Sequence, residues 1–203
     1  MSQYLSTHPT HPQQRLLIRA AEIVSAGGLV VYPTETTYAL GCHIGDKSAL
    51  DRIRQIRRLD DGHHFTLACR DLSEIATYAR VSNTQFRLLK QYTPGPYTFL
   101  LSATRETPRR LVHPKRKTIG LRVPDHPVAQ GLLEALGEPM MTTTMQLPGD
   151  ELPLTDPEDI RDALGKQVDV ILAAGGCGVL ATTVIDLTGD VPELVRQGLG
   201  EFA

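Results

Sequence analysis

Apolar side chains recur at helical spacing over residues 13–26 (Gln-Gln-Arg-Leu-Leu-Ile-Arg-Ala-Ala-Glu-Ile-Val-Ser-Ala), and Gly27-Gly28 then supplies a helix stop. Leu29 to Tyr32 is short, apolar and β-rich, which predicts a buried strand ending at Pro33. Helical spacing returns from Asp46 to Arg57, with Leu50, Ile53 and Ile56 turned inward. A strand is expected at Phe65 to Cys69, then helices at Leu72 to Tyr78 and Thr84 to Gln91. Thr93-Pro94-Gly95-Pro96 is a turn signal ahead of a strand at Tyr97 to Ser102. The same reading gives strands at Thr118 to Val123, Met140 to Thr144 and Val168 to Leu172, and helices at Pro127 to Leu136 and Pro157 to Leu164. Two more strands are expected at Thr183 to Asp186 and Glu193 to Arg196.

Strands interleaved with helices throughout argue for a layered α/β fold with a mixed parallel and antiparallel sheet. No internal repeat or low-complexity linker divides the chain. Met145 to Asp156, rich in Pro, Gly and acids, reads as a loop within the domain. The expectation is one domain over residues 1–203, with residues 1–11 a flexible N-terminal extension.

Composition narrows the function classes. With 41% hydrophobic and 22% charged residues the chain excludes wholesale disorder. No apolar run approaches the roughly 20 residues needed to cross a bilayer, so no membrane partner is expected. The N-terminus has no basic start followed by an apolar stretch, which argues against a secretory signal. Cys42, Cys69 and Cys177 are odd in number and far apart, giving neither a disulfide framework nor metal-ligand spacing. That usage suits a reducing cytoplasm, the expected location, and no metal site is expected. A net charge of −2 means that any anion site must be local.

Five segments carry candidate chemistry. Tyr32-Pro33-Thr34-Glu35-Thr36-Thr37-Tyr38-Ala39-Leu40-Gly41-Cys42 places hydroxyls and a carboxylate just past a strand end, either as a ligand loop or as a turn capping the strand. Ile56-Arg57-Arg58-Leu59-Asp60-Asp61-Gly62-His63-His64-Phe65 joins cations at a helix end to a paired-His loop, which suits an anion or simply a favourable C-cap. From Arg105 to Arg122, seven cations (Arg105, Arg109, Arg110, Lys115, Arg116, Lys117, Arg122) occupy eighteen positions with Glu106 the sole acid. Such a stretch attracts phosphates or is a solvated face. Arg122 differs, because a charge inside an apolar strand needs a partner or a cleft. Thr142-Thr143-Thr144-Met145-Gln146 offers uncharged donors at a strand end, although β-propensity alone also accounts for threonines. Asp186 is read as a hydrogen-bond hub rather than a partner for Arg196. No Gly-rich phosphate loop and no dinucleotide fingerprint occurs.

Together and in this order, Gly28 to Cys42, Asp46 to Asp71, Thr93 to Leu100, Lys117 to Pro127, Gly137 to Gly149 and Thr182 to Gly198 resemble the YrdC/YciO family, most closely its YciO branch. The resemblance implies a single twisted mixed sheet flanked by helices, with a concave basic groove. It implies an activity like that of L-threonylcarbamoyl-AMP synthase, which joins L-threonine, bicarbonate and ATP, releases pyrophosphate and serves tRNA modification. ATP would enter with Mg²⁺ as substrate. By resemblance, Thr34, Thr37, Tyr38, His63, Arg122, Thr142 and Thr182 fall on the amino-acid side of the groove. Arg57, Thr118, Thr144, Gln146 and Arg196 fall on the nucleotide side. Arg57, Arg122 and Arg196 are then the electrostatic clamps of catalysis.

Two departures qualify that expectation. Synthases of the family carry Lys-x-Arg where this chain has Arg57-Arg58-Leu59, so the second charge is gone and Asp60 and Asp61 follow. They carry Ser-x-Asn where this chain has Thr144-Met145-Gln146. Joining two anions at phosphorus demands charge neutralisation, and removing one positioned donor typically costs about 10²–10³ in rate. Synthesis is therefore expected to be weak, absent or replaced by a reaction on a related acyl-adenylate. The alternatives are a double-stranded RNA or tRNA binder using the same basic groove, and a ligand sensor without turnover.

Overall fold

The computed structural model describes residues 1–60, 63 and 65–202. Its elements in chain order are β1 (Gln3–Ser6), α1 (Gln14–Ser25), β2 (Val30–Pro33), β3 (Tyr38–His43), α2 (Lys47–Arg57), β4 (Thr66–Ala68), α3 (Leu72–Tyr78) and α4 (Asn83–Tyr92). There follow β5 (Tyr97–Ser102), β6 (Thr118–Arg122), α5 (Pro127–Leu136), β7 (Met140–Thr144), α6 (Pro157–Leu164), β8 (Val170–Ala173), β9 (Thr183–Asp186) and β10 (Glu193–Arg196). All the strands join one mixed sheet in the order β1-β8-β2-β3-β7-β4-β6-β5-β9-β10. The expected single mixed α/β layer is therefore what forms. No helix of the described residues is long and apolar enough to cross a membrane.

Helices divide between the two faces according to their apolar stripes. α1 offers Leu17, Ala20, Ala21 and Val24, and α5 offers Val128, Ala129, Leu132 and Leu133. These two pack together over Val30 and Tyr32 of β2 and Val170 and Leu172 of β8. Gly131 allows the close approach, since a Cβ there would lie 2.5 Å from Leu17 Cδ1. The opposite face carries the larger core, where Ile53 (α2), Ile75 (α3), Leu89 (α4) and Ile160 (α6) pack on Leu40, Leu67, Leu121, Phe99 and Ile185. Caps fix the helix starts: Asp46 accepts from Ala49 N–H, and Ser82 and Gln85 form a reciprocal capping box.

Two elements differ from the sequence expectation. Residues 1–11 are not simply a flexible extension, because Gln3–Ser6 adds a parallel strand to β8, with Tyr4 opposite Ile171. Arg161 lies over the Tyr4 ring at 4.9 Å, so the strand is held by side-chain contacts as well as its ladder. The second is β3, which runs through Tyr38–His43, read from sequence as part of a hydroxyl-rich loop. It pairs antiparallel with β2 and with β7, and is buried on both faces. Its small residues, Ala39 and Gly41, gave no alternating apolar signal. A Cβ on Gly41 would approach Met140 at 2.9 Å and Met141 O at 3.2 Å, so close packing set the composition.

Candidate active site

The central strands alternate with period two. Met141, Leu67, Leu121, Phe99 and Ile185 enter the larger core. On the other face α1 and α5 cover only one side of the sheet. Beyond them Thr142 and Thr144, Thr66, Arg122, Thr98 and Val184 line a cleft of about 450 Å³. Thr37, Asp60, His63, Thr182 and Arg196 complete its walls. Gly120 lies between Thr66 and Thr98 in the floor, and a Cβ there would meet Thr66 Oγ1 at 2.8 Å and Phe65 O at 3.1 Å.

The hydroxyls are organised in pairs. Tyr32 reaches from beneath the helices so that its Oη lies 2.7 Å from Thr142 Oγ1. Burial pushes the Tyr32 phenol up, which keeps it protonated as a hydrogen-bonding group. Thr98 Oγ1 lies 2.8 Å from Thr182 Oγ1. Arg196 Nη2 and Nε both donate to Thr182 O, at 2.9 and 3.3 Å. A register shift between Leu194 and Arg196 sets Arg196 opposite Val184, a bulge that re-aims the guanidinium into the cleft. Desolvation lowers the Arg196 pKa.

Arg122 in the floor is paired with a carboxylate outside the lining, that of Glu35. Arg122 Nη2 donates to Glu35 Oε1 at 2.5 Å, with side-chain exposures of 8% and 12%. Arg122 Nε and Glu35 Oε2 are buried without a hydrogen-bond partner. Both members of this buried pair thus keep a polar atom without a protein partner, and of the two Arg122 lines the cleft. The sequence asked of Arg122 a partner or a cleft, and it has both. Glu35 was not singled out as a site residue; its signal was a carboxylate two positions beyond a strand-terminating proline.

Of the residues proposed from sequence, Thr37, His63, Arg122, Thr142, Thr144, Thr182 and Arg196 come together in the cleft. Thr66, Thr98 and Asp60 join them unforeseen. Thr34 is buried as the hub of its turn, donating to Thr37 O at 2.6 Å and accepting from Thr36 and Thr37 N–H. Tyr38 points to the larger core, where its hydroxyl donates to Gly175 O at 2.7 Å and accepts from Ala174 N–H at 3.1 Å. Gln146 donates to Asp150 O, and Thr118 is buried with its hydroxyl unpartnered; neither lines the cleft. Arg57 also stays outside the lining, with Nε buried and unpartnered and its pKa lowered by burial. Leu59 packs against the larger core, so the position of the missing cation serves packing here. Asp61 and His64 lie outside the described residues.

The cationic run does not form one surface. Arg122 enters the cleft, Arg116 pairs with Asp186, and Arg110 donates to Gly45 O at 2.9 Å. Asp186 is the hub expected of it, accepting also from Thr188 N–H and Oγ1. Burial pushes its carboxyl up, but those hydrogen bonds and Arg116 prevail and hold it below the ordinary value.

The sequence and the fold are similar to those of known proteins. The family model for Sua5, YciO and YrdC proteins, described as telomere recombination, matches residues 22–198. The YciO protein of Escherichia coli (strain K12) is 59% identical over 201 residues, covering 99% of this chain and 98% of its own. The E. coli YciO crystal structure superposes with a TM-score of 0.95. A threonylcarbamoyl-AMP synthase of Vibrio vulnificus (strain YJ016) is 30% identical over 159 residues, covering 77% of this chain and 84% of its own. The crystal structure of P. abyssi Sua5 complexed with L-threonine matches at TM-score 0.88 and 25% identity, covering 96% of this chain and 57% of that one.

Proposed function

This chain belongs to the Sua5/YciO/YrdC family, and from that premise we propose that its cleft binds an acyl-adenylate of the threonylcarbamoyl-AMP type and cleaves it rather than making it. The observation that carries the reading is the buried, half-satisfied Arg122–Glu35 pair beside a floor of threonines. An amino-acid moiety carries a carboxylate, which suits the Arg122 guanidinium that lines the cleft with Glu35 holding it from behind. Thr142, held by Tyr32, and Thr182, held by Thr98, orient it through uncharged donors. Arg196 meets the single α-phosphate. Water then adds at the acyl carbonyl and AMP leaves with the bridging oxygen, so one negative charge needs neutralising at the phosphate.

Synthesis from ATP-Mg²⁺, bicarbonate and an amino acid brings a triphosphate into the same space and asks for further cations. Leu59 packs against the larger core and Arg57 lies outside the cleft lining, which supports cleavage over synthesis. Catalysis in either direction is positioning and charge neutralisation without a protein nucleophile.

Calorimetry with a non-hydrolysable acyl-adenylate, AMP and ATP tests this reading. The analogue is expected to bind more tightly than ATP, and Arg196→Ala is expected to weaken it at least tenfold. Cleavage of the authentic adenylate should fall by about 10²–10³ in that variant. Analogue binding untouched by both Arg196→Ala and Thr142→Val would reject the site. Pyrophosphate release from threonine, bicarbonate and ATP at a rate that Arg196→Ala abolishes would reverse the assigned direction.

A further inference from the structure

A second hollow, of about 690 Å³, lies at the other end of the β5–β6 pair and shares no lining residue with the cleft. Arg80, from the connection between α3 and α4, meets Arg105, Arg109 and Lys117 there, all from the connection between β5 and β6. No carboxylate lines it: Glu106, the acid of that connection, is not among the lining residues. None of the four cations forms an ion pair with a described residue. Four like charges from two chain segments thus face one concavity. All four are solvent-exposed, so water and salt screen their repulsion in part, and an anion bound among them lowers it further.

The uncharged groups of the hollow are already committed. Thr104 Oγ1 donates to Thr77 O at 2.7 Å and Thr107 Oγ1 to Tyr78 O at 2.6 Å, pinning the connection to the end of α3. The donors left for a ligand are therefore cationic. Lys117 sits in the left-handed region at φ 57°, a conformation costly for a residue with a Cβ. It is held there by its N–H donating to His113 O at 2.9 Å and its carbonyl accepting from Ala103 N–H at 3.0 Å. That backbone state sets a fourth cation on the rim. Val112, Pro114 and Ala103 supply the remaining wall, and no aromatic ring offers a stacking platform.

We propose that this hollow is an oligophosphate site, taking two or more successive phosphates by charge and guanidinium geometry without reading a base. Guanidinium forks fit phosphate oxygens bidentately, and a single phosphate brings at most about two negative charges to the four cations. The phosphates are supplied either by a small polyphosphate or by a nucleic-acid backbone, and the site is independent of the adenylate cleft.

Titration of the whole protein with inorganic tripolyphosphate at low salt reads the site directly. Saturable binding is expected, weakened tenfold or more by Arg105→Ala/Arg109→Ala and left intact by Arg196→Ala. Arg105→Lys/Arg109→Lys, which keeps the charge and removes the forks, should weaken it to an intermediate degree. Displacement of tripolyphosphate by a short RNA duplex, with affinity falling steeply in salt, assigns the phosphates to a backbone. Failure of the duplex to compete assigns them to a small polyphosphate. No saturable binding, or binding removed by Arg196→Ala but untouched by both double variants, overturns the proposal. Since the cleft is read with the acyl-adenylate analogue, either site can fail without the other.

Discussion

One face of the sheet carries two surfaces of opposite character. Beneath α1 and α5 it is apolar, with Tyr32, Ala39, Ala68 and Met140 packed against the helices. A few residues further along the same strands it is hydroxylated and open, with Thr66, Thr142 and Thr144. Met140 pairs with Ala68 and Thr142 with Thr66, so the border crosses neighbouring strands in register. Backbone conformation is the same on both sides. What differs is cover: a covered strand needs dispersion contacts, whereas an uncovered one holds polar atoms in readiness, each satisfied by a neighbour or left for a ligand. Tyr32 spans the border, its ring under the helices and its hydroxyl on Thr142.

The largest test of that division is Arg122→Ala. If the open half is as dry at its floor as the exposures of Arg122 and Glu35 imply, the variant strands a buried carboxylate and costs about 3–5 kcal/mol in urea denaturation. Arg122→Leu/Glu35→Leu should recover most of that stability while abolishing ligand binding. A loss below about 1 kcal/mol for Arg122→Ala would place the pair in water and remove the basis for its role. Next comes Thr142→Val, which keeps the shape and leaves the Tyr32 hydroxyl unpaired, at an expected cost of about 1–3 kcal/mol. Adding Tyr32→Phe should return much of it; simple additivity of the two losses would show that the border bond does not couple the halves.

A third test lies at the far end of the same face. The Asp186 carboxyl is held below its ordinary value, so its stabilisation is fully present above about pH 4 and fades as pH falls through the folded-state value. Asp186→Asn should cost about 1–2 kcal/mol at pH 7, allowing for the half-exposed Arg116, and progressively less in acid. A penalty that persists unchanged at pH 2 would mean the charge is irrelevant.

The covered half was the legible one. Helical spacing in Leu17, Ala20, Ala21 and Val24, the glycines after α1 and Pro127 at the start of α5 are local signals, and the structure follows them. Runs such as Met140–Thr144 also declared themselves as strands. The open half was legible only where a residue broke its surroundings, as Arg122 did inside Ile119-Gly120-Leu121-Arg122-Val123. Thr66 and Thr98 looked like ordinary strand threonines, because only the pairing of β4 with β7 and of β5 with β6 brings them to Thr142 and Arg122. Family resemblance placed Tyr38 and Thr34 in the pocket, yet alternation in β3 sends Tyr38 to the other face and the turn consumes Thr34. The cationic run looked continuous for a related reason. Adjacent residues in sequence leave a loop or strand in different directions, so Arg116, Lys117 and Arg122 end on an aspartate, in the second hollow and in the cleft.

The smallest expected effect probes the edge of the open half. Cys177 touches the Pro33 turn, its thiol 3.6 Å from Thr34 O, while Cys42 and Cys69 are fully buried. Burial, with the Glu35 charge adding to it, pushes the Cys177 thiol up to about 11. At pH 8 its thiolate population is then on the order of 10²-fold below that of a free cysteine, and alkylation should be slower to match. The rate should keep rising past about pH 10 rather than level off near pH 8.5. Glu35→Gln removes one nearby negative charge, so the profile should move toward lower pH by a fraction of a unit, with the direction carrying the information. Movement the other way would mean that Glu35 acts on Cys177 by packing rather than by charge, and that the carboxylate faces away from this side of the cleft. A profile that already plateaus near pH 8.5 in the parent protein would show that water reaches the turn, and the border between covered and open halves would have to be drawn nearer to α1.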